Sequence, residues 1–362
     1  MSHSNPHVPL APADVLTTVQ WADPSRAVDF QSWLTPLAQR HDLLADTLRL
    51  ASADASFRRY LRIDSGHGSR IIMDAPPDLE DCAPFVKVAQ LMRQAGVLVP
   101  EVLDWDAQHG FLLLTDLGQH TLLQTINREQ PQANLERYLQ AIEALIAWQL
   151  ASQPNVLAPY DEALLRRELT LFPDWYISRH RGVTLDPRQQ QTLQASFDLI
   201  VAQNLAWPSV YVHRDFMPRN LMMGDAGLGV LDFQDAVYGP ITYDIASLMR
   251  DAFLSWEEDF VLDVTVRYWE RARTAGLPVG TDFGEFYRGV EWMGLQRHLK
   301  VAGIFARLTL RDGKPQYLAD APRFIAYIRA TAGRYRELKP LLRLIDQIEG
   351  IEPVSAYAFG RV

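Results

Sequence analysis

The sequence predicts an α+β fold with two lobes, in which a small antiparallel sheet with one main helix precedes a larger, mostly helical lobe. Three observations lead to this prediction. Short strand-like runs dominate up to Leu117, helical periodicity dominates from Asn134 onward, and one β-rich stretch, Val210–Phe233, interrupts the helical part. We place the domain boundary at Leu117, which separates residues 1–117 from residues 118–362.

The first lobe is predicted to contain an N-terminal helix, a set of short strands and one main helix. Asp23 precedes Pro24 at the start of the first helix, a pairing typical of a capped helix N-terminus. The strands are apolar runs separated by polar or glycine-containing turns. In chain order the predicted elements are helix Pro24–Arg40, strands Thr47–Ala51, Phe57–Ile63 and Arg70–Ala75, helix Pro84–Ala95, and strands Val102–Trp105 and Phe111–Thr115.

The second lobe is predicted from apolar residues that recur with the period of an α-helix. The predicted helices are Asn134–Ala151, Asp161–Ser178, Pro187–Asn204, Tyr243–Leu254, Glu257–Ala275, Phe283–Leu310, Pro322–Arg336 and Lys339–Ile348.

Composition narrows the class of protein. The chain has 362 residues, 48% of them hydrophobic, which is ample apolar material for a core. A formal net charge of −9 argues against nonspecific binding of nucleic acid, which requires a basic face. The single cysteine, Cys82, excludes an internal disulfide and fits a reducing compartment, so we expect a cytoplasmic location.

Hydropathy gives no sign of membrane insertion. The sequence has no run of eighteen apolar residues. Met1–Pro12 is polar and lacks the apolar core of a signal peptide, so we expect a frayed tail there. We therefore expect no membrane partner, and the sequence implies no protein partner.

The most informative motif is His213-x-Asp215-x₄-Asn220, which follows a short apolar strand. A second apolar run then ends in Asp232. This order and spacing are those of phosphoryl transfer. An aspartate can orient an alcohol and accept its proton, so Asp215 is the candidate base. An amide oxygen and a carboxylate are hard ligands suited to Mg²⁺, so Asn220 and Asp232 are the candidate metal ligands.

Each of these residues alone has an ordinary alternative explanation. A single aspartate is more often a solvated surface group, and a single histidine is more often packed and hydrogen-bonded. The ordered combination between two apolar strands favours the functional interpretation. Even so, we expect His213 to brace the loop and to take no part in the chemistry.

The stretch from His213 to Asn220, with the Asp232 segment, resembles the catalytic core of the aminoglycoside-phosphotransferase-like kinases, which share a protein-kinase-like fold. The resemblance extends from about Ser52 to at least Asp251. It implies ATP and Mg²⁺ as cofactors and an active site between the lobes. It also implies that Asp244 braces the catalytic loop through backbone hydrogen bonds, although a carboxylate facing the N-terminus of a helix would explain Asp244 as well.

The nucleotide side of the resemblance departs from the family pattern. The family has a lysine on the third strand paired with a glutamate on the next helix, but this chain has Met73 at the strand position and no glutamate on the predicted helix. Nearby arginines are the alternative cations for phosphate, or else they form a solvated strand face. The nucleotide-binding candidates are Ser52, Asp54 and Ser56 in the phosphate-covering loop, the cations Arg58, Arg59 and Arg62, and Thr115 and Leu117 at the hinge.

Four stretches resemble one subgroup, the anomeric kinases of bacterial cell-wall recycling. They are Ser56–Arg62, Ile72–Pro77, Phe111–Gly118 and Trp292–Arg307, and the second and fourth carry most of the resemblance. That resemblance implies an amino-sugar acceptor, N-acetylmuramate or N-acetylglucosamine, phosphorylated at C1. The candidate acceptor-binding residues are Asp215, Trp175, Arg297, His298 and Arg307. The basic residues could instead form a solvated helix face or ion pairs, and the aromatic residues could belong to the core.

Two other functions stay open at this stage. A kinase of the same fold could act on an aminoglycoside or another small alcohol, with a different acceptor pocket and the same catalytic loop. A pseudokinase that only binds nucleotide would explain the missing lysine and glutamate, but the presence of Asp215, Asn220 and Asp232 argues against it.

Overall fold

A computed structural model describes residues 19–21, 23–53 and 57–352, without the side chains of residues 52 and 53. The chain separates into two compact units, one of residues 1–89 and 100–117 and the other of residues 90–99 and 118–362. The expected N-terminal tail lies outside the described residues. The predicted first lobe included residues 90–99, which the structure groups with the second unit. One reason is that Leu98 O accepts a hydrogen bond of 2.8 Å from Val230 N.

The first unit is built on a five-stranded antiparallel sheet with strand order β1-β2-β3-β5-β4. Its elements are α1 (Pro24–Arg40), β1 (Leu43–Ala53), β2 (Arg59–Ser65), β3 (Gly68–Asp74), β4 (Val102–Asp106) and β5 (Phe111–Thr115). Helix α2 (Ala83–Gln94) follows β3 and runs from this unit into residues of the second.

Helix α1 covers the sheet with one apolar face. Asp23 caps the helix by accepting a hydrogen bond of 2.8 Å from Ser25 N, as the sequence predicted. Phe30, Leu34 and Leu37 recur at helical spacing and are buried. They pack with buried residues of β2, β3 and β5, and this cluster is the core of the first unit.

The second unit is mostly helical. Its α-helices are α3 (Leu122–Thr125), α4 (Leu135–Leu150), α5 (Glu162–Leu171), α6 (Pro187–Leu205), α7 (Thr242–Met249), α8 (Glu258–Thr274), α9 (Phe283–Leu310), α10 (Ala321–Arg334) and α11 (Lys339–Glu349). Among the described residues, no helix combines the length and the apolar character that crossing a membrane requires.

Two short antiparallel ribbons interrupt these helices, and three of their four strands lie mainly in the predicted β-rich stretch Val210–Phe233, whereas β9 was not predicted. Strand β6 (Ser209–Val212) pairs with β9 (Val237–Pro240), and β7 (Leu221–Gly224) pairs with β8 (Gly227–Val230). The loop that carries the sequence motif runs from β6 to β7.

One predicted helix changes type part of the way along. The sequence predicted a single helix over Asp161–Ser178, but α5 ends at Leu171 and a π-helix covers Phe172–His180. Pro173 accounts for the change, because proline has no N–H to donate to the carbonyl four residues earlier. The wider π-helical turn is the geometry that continues past this missing hydrogen bond.

Candidate active site

The loop between β6 and β7 is fixed to α7 by one buried carboxylate. Asp244, in the first turn of α7, accepts hydrogen bonds from the backbone of two consecutive loop residues. His213 N donates to Asp244 Oδ2 at 2.7 Å, and Arg214 N donates to Oδ1 at 3.0 Å. The bracing contact that the family resemblance implies is therefore present.

His213 links the loop to the strand that precedes Asp232. Its Nε2 donates to Leu231 O at 3.0 Å, and its Nδ1 accepts from Asp215 N at 3.2 Å. Burial lowers the pKa of His213 to about 4, so the ring is neutral at physiological pH. A neutral, fully buried ring with both nitrogens hydrogen-bonded is consistent with the bracing role, which stays a prediction.

The structure brings Asn220 and Asp232 together. Asn220 Nδ2 donates to Asp215 O at 2.9 Å and to Asp232 Oδ2 at 3.2 Å. Asp232 is exposed, and its backbone is left-handed, with φ of +63°. Aspartate tolerates this conformation better than most residues, and such strain is common at functional sites.

These side chains fit a magnesium ion. The Asn220 amide nitrogen donates to Asp215 O in the loop and to Asp232 Oδ2 beyond β8, so Oδ1 is the atom of that amide that can bind a cation. The Asp232 carboxylate adds a second hard oxygen ligand. Within the described residues, no group of three or more His, Cys, Asp or Glu could hold a metal. Two hard oxygens, from Asn220 and Asp232, suit Mg²⁺, which takes few protein ligands and completes its shell with water and phosphate oxygens.

The electrostatics of Asp215 are set by cations on other elements. Burial on its own raises the pKa of this carboxyl group. The positive charges of Lys300, Arg297 and Arg214 outweigh burial and lower the pKa below its usual value. Asp215 is therefore ionised at neutral pH, which is the state in which a carboxylate can accept a proton.

A buried polar cluster beside the loop was missed by the sequence analysis. Glu168 of α5 accepts hydrogen bonds from Arg214 Nη2 at 2.8 Å and from the Tyr160 hydroxyl. Lys300 Nζ of α9 lies 2.8 Å from Glu168 Oε1 and donates to Tyr243 OH at 3.3 Å. Glu168 is an isolated acidic residue in the sequence, so no local pattern could have identified it.

Arg297 lies against the loop between β6 and β7. Its Nη1 donates to Arg214 O at 2.6 Å, and its guanidinium stands 4.9 Å from the centre of the Tyr243 ring. The side chain is only 3% exposed, and Lys300 is 8% exposed. The alternative of a solvated basic face is therefore wrong for both residues. The contact shown by Arg297 is with the loop that carries Asp215.

The other acceptor-binding candidates differ in exposure. His298 is buried, has its Nε2 3.2 Å from Arg250 O and stacks on Tyr327, so we assign it to packing. Trp175 is half-buried, and the guanidinium of Arg179 lies 4.0 Å from the centre of its ring. Arg307, near the end of α9, is half-buried.

The candidate arginines on the nucleotide side all form ion pairs in the first unit. Arg58 pairs with Glu80 at 3.0 Å, Arg59 with Asp74 at 2.6 Å, and Arg62 with Asp116 at 2.6 Å. The alternative of a purely solvated strand face is therefore wrong. Glu80 lies just before α2, so the unit contains a cation–carboxylate pair, Arg58–Glu80, although it lacks the expected lysine and glutamate.

The remaining nucleotide-binding candidates are only partly described. Asp54 and Ser56 lie outside the described residues, and Ser52 is described only through its backbone, which pairs with Tyr60. Thr115 ends β5, where its Oγ1 accepts from Glu101 N at 2.9 Å. Leu117 is half-buried at the end of the first unit.

Comparison with known proteins gives two kinds of match. Residues 47–279 match a family model described as the phosphotransferase enzyme family. The N-acetylmuramate/N-acetylglucosamine kinase of Neisseria meningitidis is 49% identical over 332 residues, which cover 91% of this chain and 98% of the relative. The protein with the same name from Pseudomonas aeruginosa is 51% identical over 298 residues, 82% of this chain and 87% of the relative.

Among solved structures, a putative aminoglycoside phosphotransferase from Ralstonia eutropha superposes with a TM-score of 0.58 at 12% identity, and the match covers 88% of this chain and 98% of that one. At this identity the likeness concerns the fold alone. It confirms the predicted α+β fold class.

Proposed function

The chain belongs to the phosphotransferase enzyme family, and from that premise we propose that it transfers the γ-phosphoryl group of ATP to the C1 hydroxyl of N-acetylmuramate and N-acetylglucosamine. The observation that carries the choice of acceptor is identity near 50%, over most of their length, to relatives named for these two sugars. We place the reaction in the cytoplasm, as a step in the recycling of cell-wall sugars.

In this proposal Asp215 is the base. Its ionised carboxylate accepts a hydrogen bond from the acceptor hydroxyl and then takes its proton as the bond to phosphorus forms. An anomeric hydroxyl is more acidic than other sugar hydroxyls, so a carboxylate with a low pKa suffices. The remaining task is to align the hydroxyl oxygen with the γ-phosphorus, which is a matter of positioning.

Asn220 and Asp232 hold Mg²⁺ in this proposal, and the bound ion neutralises charge on the phosphates. Arg58, Arg59 and Arg62 supply further positive charge from the first unit. Each is already in an ion pair, but a guanidinium has five N–H donors and can serve a carboxylate and a phosphate together. Thr115 and Leu117 bind the adenine through their backbone groups.

On the acceptor side, the observed burial divides the candidates. Trp175 and Arg307 keep exposed surface, so we propose that they contact the sugar, Trp175 through its ring and Arg307 through the carboxylate of N-acetylmuramate. Arg297 contributes through the loop that carries Asp215, where its hydrogen bond to Arg214 O is observed.

The regiochemistry supplies the test. The protein is incubated with ATP, Mg²⁺ and either sugar, and nucleotide consumed is compared with reducing ends lost. We expect equal amounts, because phosphorylation at C1 removes the reducing end. ATP consumption with reducing ends intact would show that another hydroxyl is used.

Two controls sharpen the result. The methyl glycoside of N-acetylglucosamine, in which C1 is blocked, should not be phosphorylated, and Asp215→Asn should remove the turnover of both sugars. Turnover of an aminoglycoside or a simple alcohol in place of the sugars would favour a different acceptor class. An absence of turnover with every acceptor would favour the pseudokinase.

A further inference from the structure

Arg214 has an unusual backbone conformation at a sensitive position. It lies between His213, which braces the loop, and Asp215, the proposed base. Its φ is +77°, in the left-handed region that residues with a Cβ adopt only at a free-energy cost. Such a conformation persists only when surrounding contacts hold it in place.

Most of those contacts come from three helices, and Arg214 Nη1 also donates to Asp235 O, before β9, at 3.4 Å. The Arg214 N–H donates to Asp244 of α7 at 3.0 Å. The Arg214 carbonyl oxygen accepts from Arg297 of α9 at 2.6 Å. The guanidinium donates to Glu168 of α5 at 2.8 Å. The backbone of residue 214 is thus held on both sides, and its side chain is tied to a helix forty-six residues earlier in the chain.

Glu168 is itself held firmly. It is only 4% exposed. One carboxylate oxygen faces both Arg214 and Lys300, each at 2.8 Å, and the other accepts from the Tyr160 hydroxyl. A buried carboxylate that is fully paired in this way cannot move without leaving a charge unpaired, so it is a rigid anchor.

We propose that Glu168, with Lys300 as its counter-charge, is a positioning residue that holds Arg214 in the left-handed conformation and thereby aims the Asp215 carboxylate at the acceptor hydroxyl. The dihedral angles of residue 214 set the direction in which the next residue leaves the loop. A small error in that direction is sufficient to reduce turnover strongly. The inference rests on the proposed function only for the role of Asp215.

A double-substitution cycle tests this anchor. Glycine adopts a left-handed backbone readily and carries no side chain for Glu168 to hold. We expect Glu168→Ala to lower kcat at least ~10-fold with KM values for ATP and acceptor within about 3-fold of the parent, because positioning acts on the chemical step. Arg214→Gly can lower kcat by itself. Relative to that single variant, adding Glu168→Ala should lower kcat by less than about 2-fold.

Controls separate positioning from general damage. Glu168→Gln keeps an acceptor oxygen for Arg214 and should retain more activity than Glu168→Ala. If Glu168→Ala does not fold, Glu168→Gln takes its place in the cycle. Glu162→Ala removes the exposed ion pair with Arg166 from the same helix and should leave kcat unchanged.

The outcomes are distinct. The anchor is excluded if a Glu168 substitution lowers kcat by the same factor in the parent and in the Arg214→Gly background. It is also excluded if the substitution leaves kcat unchanged in both. If the parent turns over neither sugar, the proposed function fails first, and a crystal structure of the Glu168 variant then decides on the anchor. We expect residue 214 to leave the left-handed region or Asp215 to change rotamer, whereas an unchanged loop would overturn the proposal.

Discussion

The behaviour of Asp215 depends on residues far from it in sequence. Burial alone disfavours a charged carboxylate, and three cations reverse that tendency. Two of these cations, Arg297 and Lys300, come from α9, and the third, Arg214, precedes Asp215 in the loop. The base of the proposed reaction is therefore prepared by the second unit as a whole.

We predict that Asp215→Asn lowers turnover at least ~10²-fold, the usual contribution of a general base. Nucleotide binding should be largely kept, because Asp215 is not assigned to the metal. Steady-state kinetics and nucleotide titration measure the two quantities. Asp225→Asn, the same change in the exposed turn between β7 and β8, is the matched control and should behave as the parent. Near-parental turnover of Asp215→Asn would remove Asp215 from its role.

The buried His298 predicts a pH effect on stability. Burial lowers its pKa to about 3, so the native ring stays neutral while the unfolded ring gains a proton below its ordinary pKa. Between these two values the unfolded state binds more protons, so stability is lost as pH falls. One such histidine accounts for about 2 kcal/mol of unfolding free energy between pH 7 and pH 5.

Between pH 7 and pH 5, His298→Gln should therefore lose about 2 kcal/mol less unfolding free energy than the parent protein. Denaturant unfolding at several pH values gives the comparison. The buried carboxyl groups of Asp244 and Asp251, whose pKa values burial raises, act in the opposite direction in both proteins and cancel in the difference. His67→Gln, the same substitution in the exposed turn between β2 and β3, is the matched control.

At the scale of single elements, α9 is central to the second unit. It supplies Arg297 and Lys300 to the loop and the Glu168 cluster, and it packs against the π-helix that continues from α5. The contact with α5 is close at Gly303, where an added Cβ would lie 2.4 Å from the backbone of Leu171. Glycine at this position lets the two helices approach.

Gly303→Ala should therefore lower the unfolding free energy by roughly 1–3 kcal/mol, because the added methyl group forces the two helices apart. Gly333→Ala is the matched control. Its added Cβ would be 4.0 Å from the nearest atom, and alanine should stabilise α10 by up to about 1 kcal/mol. Thermal unfolding of both variants measures the difference. Equal effects would show that the close approach at Gly303 carries no energetic weight.

At the scale of the whole molecule, bound nucleotide and metal should stabilise the native state. Free MgATP at a hundred times its dissociation constant adds about 2.7 kcal/mol to the unfolding free energy. We expect the thermal midpoint to rise with ATP and Mg²⁺ and to rise less with ATP and a chelator. Asp232→Asn should remove most of the difference between the two conditions.

Asparagine is the suitable replacement at residue 232, because it keeps the shape of the side chain and tolerates the left-handed backbone. Gln234→Ala, which removes a hydrogen bond to Asp232 Oδ1 and keeps the carboxylate, is the control and should retain the metal effect. A metal-dependent shift that survives in Asp232→Asn would assign the metal to other ligands.

The interpretation of α9 shows where sequence reasoning stopped. From the sequence, the basic residues of Trp292–Arg307, which include Arg297 and Lys300, could bind the acceptor, form a solvated face or form ion pairs. The structure excludes the solvated face for both residues, since Arg297 donates to the backbone of the loop between β6 and β7 and Lys300 forms an ion pair with Glu168. The π-helix was missed because the apolar periodicity of Asp161–Ser178 was followed through Pro173, although a proline there removes a backbone hydrogen bond.

The sequence by itself determined the order of the elements, the α+β class and the motif from His213 to Asp232, because periodicity and short-range spacing are local properties of the chain. Only the tertiary structure decided which residues set the charge environment and the backbone conformation of that motif. Glu168 and Lys300 lie far apart in sequence and meet only when α5 packs on α9. Two opposite charges can be buried together there because each compensates the other's loss of water, and that compensation exists only after the helices have packed.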